Sequence, residues 1–463
     1  MILDSNTHQR LNIRIVKLFD LLLLTAVFAL TWGLYYADKM TYSFYNLGNY
    51  MMIGLFFIID YLITRLYRGY AIHLFRVSDL VYSQALAVFI TDGLLYIVMT
   101  MVNRHFMNPL PLIGAFVVQN LIIVAWSIAA HRWYLHTHPP VPAVLVCDEY
   151  RMNVDHIMKN YDMDAHFKVT DIILAKDVVE DIPSSIIKDA GVVFICGLHS
   201  HERNIIVKYC VAHNIASYVI PRVGDVIMSG AEKIHLFHLP MLMVHHYDPT
   251  PEYLFLKRLM DIILSLIAVV IFSPFMIVTA IAIKATDGGS IFYRQRRLTK
   301  DGKEFDVLKF RSMRMDAEKD GVARLSTGEN DPRITKVGRI IRAIRFDELP
   351  QLLNILQGDM TIVGPRPERP EISAQYEKDI PEWPLRLQCK CGLTGYAQVY
   401  GQYNTTPYDK LLMDLMYIAR PSLVEDIKII FATVKILFMK ESTAGVAEGQ
   451  VTAKVSQRRS GRE

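Results

Sequence analysis

Two adjacent carboxylates, Asp347 and Glu348, stand at the start of a segment in which leucines recur at helical spacing. The segment ends at Gly358, and glycine often follows the last turn of a helix. The acids are therefore predicted at a helix N-terminus. Pro350 falls in the first turn, where proline is tolerated because the donors there have no partner within the helix. The helix macrodipole is expected to keep both carboxylates ionised.

Basic side chains flank this pair: Arg339, Arg342, Arg345 and Arg366. Arg366 lies between Pro365 and Pro367. Guanidinium groups bind phosphate oxygens, and Mg²⁺ is bound by carboxylate and phosphate oxygens, so the set suits a phosphate substrate held with a divalent cation. A helix cap with surface ion pairs explains the same local composition and stays open at this point.

The N-terminal part of the chain is predicted to be a bundle of four membrane helices. Four apolar runs each have about 20 residues, enough to cross about 30 Å of hydrocarbon. They are Leu18–Tyr36, Leu47–Leu66, Leu80–Val102 and Leu110–Ala130. Lys and Arg precede the first run and lie between the second and third, and His131 and Arg132 follow the fourth, with His136 and His138 nearby, so both ends of the bundle should face the cytoplasm. Asp20, Asp60 and Asp92 lie near the ends of these helices and are interpreted as structural, with an ion path as the alternative.

A soluble α/β domain is predicted next, over residues 139–250, where prolines mark its beginning. Short β-branched runs alternate with helical stretches, which indicates a parallel, Rossmann-like sheet. The runs are 141–148, 166–175, 191–197 and 216–221. No glycine-rich turn follows the first run, so catalytic use of NAD(P) is not expected. A structural or regulatory role is favoured, with a nucleotide sensor as the alternative.

The apolar segment 257–284 leads into the last domain and contains Ser273 and Pro274 near its centre. Proline removes a backbone donor and clashes with the preceding turn, so a bend is predicted there. Residues 284–346 contain 16 Lys and Arg against 9 Asp and Glu, and such a segment stays in the cytoplasm. The helix is therefore predicted to be re-entrant, entering and leaving on the same face. A kinked fifth span is the alternative.

An ordered set of motifs in the last domain resembles the monotopic phosphoglycosyl transferases, or bacterial sugar transferases. The motifs are KR (257–258), SP (273–274), KFRSM (309–313), DPRIT (331–335), DELPQ (347–351), GDM (358–360), VGPRP (363–367) and GLTGYAQV (392–399). The resemblance covers about residues 252–440, and the whole chain resembles the large members that start exopolysaccharide or capsule synthesis. It implies transfer of a sugar-1-phosphate from a UDP-sugar to undecaprenyl phosphate, with release of UMP. It also implies a multi-pass protein of the bacterial inner membrane.

The resemblance assigns roles to the residues that match these motifs. Asp347 is implied as the covalent nucleophile and Glu348 as the Mg²⁺ ligand. Arg342 and Arg366 are implied as phosphate contacts. Phe346 replaces a leucine usual in the family, a change between apolar residues that should be harmless.

Further roles follow from the flanking motifs. Pro365 and Pro367 would shape the phosphate-binding loop, and Lys257 and Arg258 would lie at the membrane surface near the lipid phosphate. Cys391 stands where a Pro-Gly pair is usual, which makes this turn less rigid. With Cys389 it forms a CxC pair, interpreted as structural.

The predicted architecture is thus a four-helix transmembrane bundle (1–138), a Rossmann-like cytoplasmic domain (139–250), a mostly α catalytic domain with a re-entrant helix (251–440) and a disordered tail (441–463).

The expected partners are a UDP-sugar, undecaprenyl phosphate and the bilayer. A net charge of +4 argues against nucleic acid. Glucose or galactose is favoured as the sugar, and the oligomeric state is open, with a homodimer as one option. A nucleotide-sugar dehydratase and a non-enzymatic scaffold or sensor are the competing classes; the first lacks its glycine fingerprint, and the second leaves DELPQ and VGPRP without a purpose.

Overall fold

A computed structural model describes residues 2–40, 46–72, 75–147, 166–174, 187–315, 317, 333–401 and 405–437. The chain divides into two compact units, Met1–Ile220 and Pro221–Glu463. The predicted disordered tail, the loop that follows the first strand, and Asp331 and Pro332 of the DPRIT motif all lie outside the described residues.

The first unit begins with four long helices. These are α1 (Ile2–Thr31), α2 (Asn46–Leu66), α3 (Val77–Asn103) and α4 (Leu110–Thr137), and a π-helical turn, Trp32–Tyr36, extends the first of them. In length and composition α2, α3 and α4 suffice to cross a membrane, as does the later helix Pro251–Thr286. The predicted span Leu18–Tyr36 is helical too, but α1 is not among these four, since it also carries Arg14, Lys17 and Asp20.

Three acids of this bundle are buried. Asp20, Asp60 and Asp92 have side chains turned into the protein interior. The carboxylate oxygens of Asp20 and Asp60 have no hydrogen-bond partner among the described residues. Asp20 and Asp92 lie eleven residues before Thr31 and Asn103, the last residues of α1 and α3, which corrects the prediction that they lie near helix ends, whereas Asp60 lies six residues before Leu66, the last residue of α2.

A four-stranded parallel sheet completes the first unit, as the alternating pattern predicts. Its strands are β1 (Val141–Cys147), β2 (Phe167–Leu174), β3 (Val192–Cys196) and β4 (Ala216–Val219), in the order β2-β1-β3-β4. Helix α5 (Ser200–Ala212) connects β3 to β4 and packs through Ile206 and Cys210 on the buried face of β1 and β3. The connections between β1 and β3 include undescribed residues, so the helices that would complete a Rossmann-like arrangement are not confirmed.

The second unit begins earlier than the predicted boundary at 250. Helix α6 (Val223–Ser229) and the hairpin β5 (Glu232–Leu236) and β6 (Leu239–Met243) precede it. Val223 and Val226 of α6 belong to the hydrophobic core that the later helices form, and Arg420 donates a hydrogen bond to the Ser229 carbonyl at 2.9 Å. Residues 221–250 therefore pack with the last domain, although the strand-like composition continues without a break.

The remaining elements are short and surround one long helix, α7 (Pro251–Asp287). They are β7 (Phe292–Leu298), β8 (Glu304–Phe310), α8 (Lys336–Ala343), α9 (Gln351–Gln357), β9 (Thr361–Val363), α10 (Pro370–Asp379), β10 (Gly392–Thr394), α11 (Tyr396–Tyr400), α12 (Pro407–Ala419) and α13 (Leu423–Leu437). Strands β7 and β8 form an antiparallel hairpin, and β9 and β10 pair in parallel.

Helix α7 continues through Ser273 and Pro274 without interruption, and the bend predicted there stays a prediction. The Ser273 hydroxyl donates to the Val270 carbonyl at 2.9 Å. The helix is also amphipathic, with its polar side buried and its apolar side exposed. Lys257, Asp261 and Ser265 form a polar stripe that is buried against the domain, and the opposite side is exposed and apolar.

Candidate active site

The acid pair lies on a 3-10 turn, Phe346–Glu348, that precedes α9. Arg345 enters this turn in the left-handed conformation with φ 55°. One Glu348 oxygen, Oε1, accepts a hydrogen bond from Lys309 Nζ at 3.0 Å and another from an Arg366 guanidinium nitrogen at 3.4 Å. The structure thus brings together groups from three separate elements: the end of β8, the 3-10 turn, and the loop after β9.

The two carboxylates have opposite electrostatic environments. Burial acts to raise the pKa of Glu348, but Lys309, Arg366 and Arg345 outweigh it and hold that pKa well below its usual value. Burial and the neighbouring Glu348 charge raise the pKa of Asp347, against the lowering effects of Lys309 and Arg342. Glu348 is therefore a firmly ionised anion, and Asp347 is the more basic of the two.

The helix macrodipole can contribute little to the charge state of the two acids. Helix α9 starts at Gln351, after the acids, and has only seven residues. Burial and local charges therefore set the direction of the pKa shift of Asp347, because a helix this short provides only a weak dipole field.

Phe346 connects the 3-10 turn that carries the two acids to helix α7. Its ring makes edge-to-face contacts with Phe272 and Phe275, at centroid distances of 5.8 Å and 6.3 Å. These two residues flank Ser273 and Pro274 in sequence. The apolar side chain predicted to be harmless at position 346 therefore packs the turn onto α7.

The VGPRP loop is held by its backbone carbonyls. Lys257 Nζ donates to Val363 O at 3.0 Å, Arg386 donates to Arg366 O at 3.0 Å, and Arg297 donates to Pro367 O at 3.0 Å. The Pro365 carbonyl accepts from the backbone of Gly392 at 2.9 Å. At Gly364 a Cβ would collide with the Lys390 carbonyl, so only glycine fits where this loop crosses the segment before β10.

A buried ion pair supports one of these contacts. Arg386 and Asp414 approach to 2.6 Å with side chains 4% and 1% exposed, and the Arg386 guanidinium lies 4.5 Å from the Trp383 ring. A guanidinium with a carboxylate, a carbonyl and an aromatic face around it is fully partnered. Arg386 therefore serves to hold Arg366 in place.

Lys257 and Arg258 are engaged within the protein. Besides Val363 O, the Lys257 ammonium donates to Asp426 at 3.0 Å and to the Tyr417 hydroxyl at 3.1 Å. Arg258 donates to Ile355 O and Leu356 O at the end of α9, at 2.6 Å and 2.8 Å. These contacts fasten α7 to the loop and to α9, and a role at the lipid phosphate stays a prediction.

Sequence reasoning missed Lys309, Arg386 and Asp414 as site residues. Lys309 had a signal, because it begins the KFRSM motif. Arg386 and Asp414 had none, since they lie in stretches without a recognised pattern. The predicted structural cysteines are buried free thiols, and burial raises the pKa of both Cys389 and Cys391 to about 12.

Comparison with known proteins accounts for this arrangement. The family described as Bacterial sugar transferase matches residues 252–440. A UDP-glucose:undecaprenyl-phosphate glucose-1-phosphate transferase of Caulobacter vibrioides is 39% identical over 40% of this chain and 71% of the relative. The chain belongs to the bacterial sugar transferase family.

Longer members of the family match over a smaller share of their length. A UDP-N-acetylgalactosamine-undecaprenyl-phosphate N-acetylgalactosaminephosphotransferase of Aeromonas hydrophila is 37% identical over 49% of this chain and 53% of its own. A UDP-glucose:undecaprenyl-phosphate glucose-1-phosphate transferase of Escherichia coli is 39% identical over 45% of this chain and 44% of its own. The matched stretch of this sugar transferase thus spans about half the length of these relatives. The family match, residues 252–440, contains every residue of the site described above.

Proposed function

We propose that this protein transfers a sugar-1-phosphate from a UDP-sugar to undecaprenyl phosphate and releases UMP, as an initiating step of exopolysaccharide or capsule synthesis. The single observation that carries the proposal is the pair Asp347 and Glu348 with Lys309 and Arg366 on Glu348. The names of the relatives include the same donor and acceptor classes. A dehydratase or a scaffold would have no use for this grouping.

The donor set suits Mg²⁺. This ion is commonly bound through one or two carboxylates together with substrate phosphates, rather than by a cage of protein ligands. Glu348 stays ionised beside Asp347 and offers hard oxygens. Mg²⁺ held by Glu348 and the donor diphosphate would neutralise phosphate charge and make UMP a better leaving group.

Asp347 is proposed as the nucleophile. Its raised pKa makes it the more basic oxygen of the pair. A carboxylate oxygen attacks the sugar-bearing phosphorus, the bond from that phosphorus to the bridging oxygen breaks, and UMP leaves with the electron pair. Arg342 and Arg366 hold the phosphate oxygens while charge develops. An oxygen of the lipid phosphate then attacks the same phosphorus and regenerates the carboxylate, so no proton has to be removed from the acceptor.

The acceptor would arrive along the apolar side of α7. The helix has 37 residues, a length of about 55 Å at 1.5 Å per residue. One compact unit packs on both of its halves: Asp261 accepts from Thr361 and Ile362 at 2.7 Å and 3.0 Å, and Ile283 packs with Phe310 and Ile341. A helix with the same domain on both halves does not place those halves in opposite compartments. Because an uninterrupted helix of this length runs in one direction, a re-entrant course also needs the bend predicted at Ser273 and Pro274; with that bend, the helix would enter and leave on the cytoplasmic face of the inner membrane and keep the catalytic domain there.

The test uses the full chain in lipid nanodiscs with labelled UDP-sugar and no acceptor. The adduct of sugar-phosphate on the peptide that contains Asp347 is expected, and undecaprenyl phosphate should then discharge it. Asp347→Asn should abolish the adduct while donor binding persists. Absence of an adduct, with initial rates that require a ternary complex, would refute the covalent route in favour of direct attack by the lipid phosphate. UDP-glucose, UDP-galactose and UDP-N-acetylgalactosamine form the donor panel.

A further inference from the structure

Three buried carboxyl groups in the bundle of α1–α4 have no part in the proposed transfer reaction. Asp20 and Asp60 are 0% exposed, and Asp92 is 4% exposed. Both oxygens of Asp20 and of Asp60, and Oδ1 of Asp92, have no hydrogen-bond partner within the described ranges. An ionised carboxylate in an apolar interior is strongly unfavourable unless a cation or a set of donors compensates it. Each of these acids therefore requires a positively charged ligand.

Contacts between neighbouring helices place Asp60 and Asp92 at the same level of the bundle. Gln84 of α3 donates to the Gly69 carbonyl, just beyond the end of α2, at 3.1 Å. The consecutive helices α2 and α3 pack against each other in opposite directions. Asp60 lies nine residues before Gly69 along the chain, and Asp92 lies eight residues after the bonded glutamine. The two acids are therefore level to within about one helical turn.

Asp20 lies one turn away from this pair, at the level of an unpartnered hydroxyl. Helices α1 and α2 also run in opposite directions, because their connected ends are joined by a side-chain hydrogen bond of 2.9 Å. Between them the rings of Phe28 and Phe56 stack at a centroid distance of 4.6 Å. Asp20 is eight residues before the first ring, and Thr64 is eight residues after the second, so these two side chains are level.

Thr64 connects the two levels. It is 1% exposed and lies four residues after Asp60 on the same face of α2. Its hydroxyl has no hydrogen-bond partner in the part of the chain that the structure describes. Four residues at 1.5 Å each separate the levels of Asp20 and Asp60 by about 6 Å. The interior of the bundle thus contains a short series of carboxyl and hydroxyl groups without partners.

The distribution of these acids favours a proton over a metal ion as the ligand. Among the described residues, no three acidic, histidine or cysteine side chains are close enough to hold one metal ion. A carboxyl group that binds a proton loses its charge and becomes a donor as well as an acceptor. Asp92 still accepts a hydrogen bond in that state, from the buried Gln119 amide nitrogen at 3.0 Å. Protonation therefore removes the charge and supplies the missing donors together.

We propose that Asp20, Asp60 and Asp92 form a proton-binding site inside the bundle, with protons bound at neutral pH. The site is independent of the transferase reaction. The other titratable side chains nearby in sequence that are not exposed are Lys17 of α1, Tyr67 and Tyr70 after α2, and Tyr96 of α3, and α4 has none from Leu110 to Ala130. The folded bundle then binds more protons than the unfolded chain, so its stability falls as the pH rises.

Infrared spectroscopy of the full-length protein in lipid nanodiscs tests the proposal directly, since protonated carboxyl groups have a carbonyl stretch that ionised carboxylates lack. The wild-type protein should show this band at pH 7. Asp60→Asn and Asp92→Asn should each remove one component of it. Asp38→Asn, at an exposed acid beyond α1, is the matched control and should leave the band unchanged. Where an Asn variant does not fold, the Glu variant, which keeps the carboxyl group and shifts its band, replaces it.

The second measurement is thermal unfolding of the same preparations between about pH 6 and about pH 9. The Tm of the wild type should fall with rising pH, and the fall should be smaller in Asp60→Asn, because an amide is neutral at every pH. A band at pH 7 that all the variants share, or no band, would overturn the assignment, since the acids would then be ionised. A Tm that responds to exchange of Na⁺ or K⁺ for choline, and not to pH, would replace the protons by a metal cation.

Discussion

Removing either member of the buried pair of Lys257 and Asp426 should strongly destabilise the second unit. Their side chains are 10% and 0% exposed, and the ammonium directs its three donors at Asp426, Tyr417 and the Val363 carbonyl. Removing one member leaves an uncompensated buried charge, which typically costs about 3–5 kcal/mol. For a unit of this size, 1 kcal/mol corresponds to about 2–4 °C in Tm. Lys257→Met and Asp426→Asn should therefore each lower Tm by roughly 6–20 °C.

A double-mutant cycle measures the pair by thermal unfolding in one nanodisc preparation. The double variant should lose less stability than the sum of the two single variants, because no unpaired charge remains. Lys428→Met is the matched control, since Lys428 pairs with Glu425 on the same helix and is 45% exposed; its effect should stay below about 1 kcal/mol. Additive single effects as small as that of the control would refute the reasoning, since the pair would then behave like a solvated surface contact.

Other consequences of the site are equally measurable. Glu348→Gln should lower kcat for UMP release by about 100-fold or more, with partial recovery at high Mg²⁺; full activity at ordinary Mg²⁺ would exclude Glu348 as a ligand. Because the pKa of Asp347 is raised and attack needs its ionised form, kcat/KM should fall as pH drops through that raised pKa, at a higher pH than for an ordinary aspartate; a flat profile down to about pH 4 would contradict this. Gly364→Ala should impair turnover, since its Cβ would meet the Lys390 carbonyl; wild-type kcat would show that the loop can shift. A cysteine placed beside Asp301 should resist an impermeant thiol reagent applied to intact cells, and external labelling would overturn the re-entrant topology.

Local sequence patterns predicted the helices and strands better than they predicted which of these elements pack together. The alternation of β-branched runs and helical stretches correctly indicated a parallel sheet, because side-chain periodicity is a local property. The start of the second unit at Pro221 was not predictable in this way. It depends on α6 packing into a core built from helices far along the chain, and no composition shift marks that contact.

In the candidate site, too, the local motifs were predictable and the tertiary contacts were not. Asp347, Glu348 and Arg366 could be selected from their motifs, and the structure brings Glu348 and Arg366 together. The burial of Lys257 could not be foreseen, since its partner Asp426 lies 169 residues later. A lysine at the start of an apolar helix looks like a surface anchor until that partner is known. The raised pKa of Asp347 likewise depends on tertiary neighbours that a helix pattern does not contain.

The hydrogen bonds to the backbone carbonyls of the VGPRP loop have a consequence for which residues of the enzyme can be replaced. Lys257, Arg297 and Arg386 hold carbonyl oxygens, which every amino acid possesses, so these three contacts do not depend on the side chains of the loop. Gly364 has no room for a Cβ and Arg366 contacts Glu348, so variation should be tolerated best at positions 365 and 367. Libraries directed at these two positions would test how far the two prolines shape the loop, whereas libraries directed at the three cations would mostly return inactive proteins.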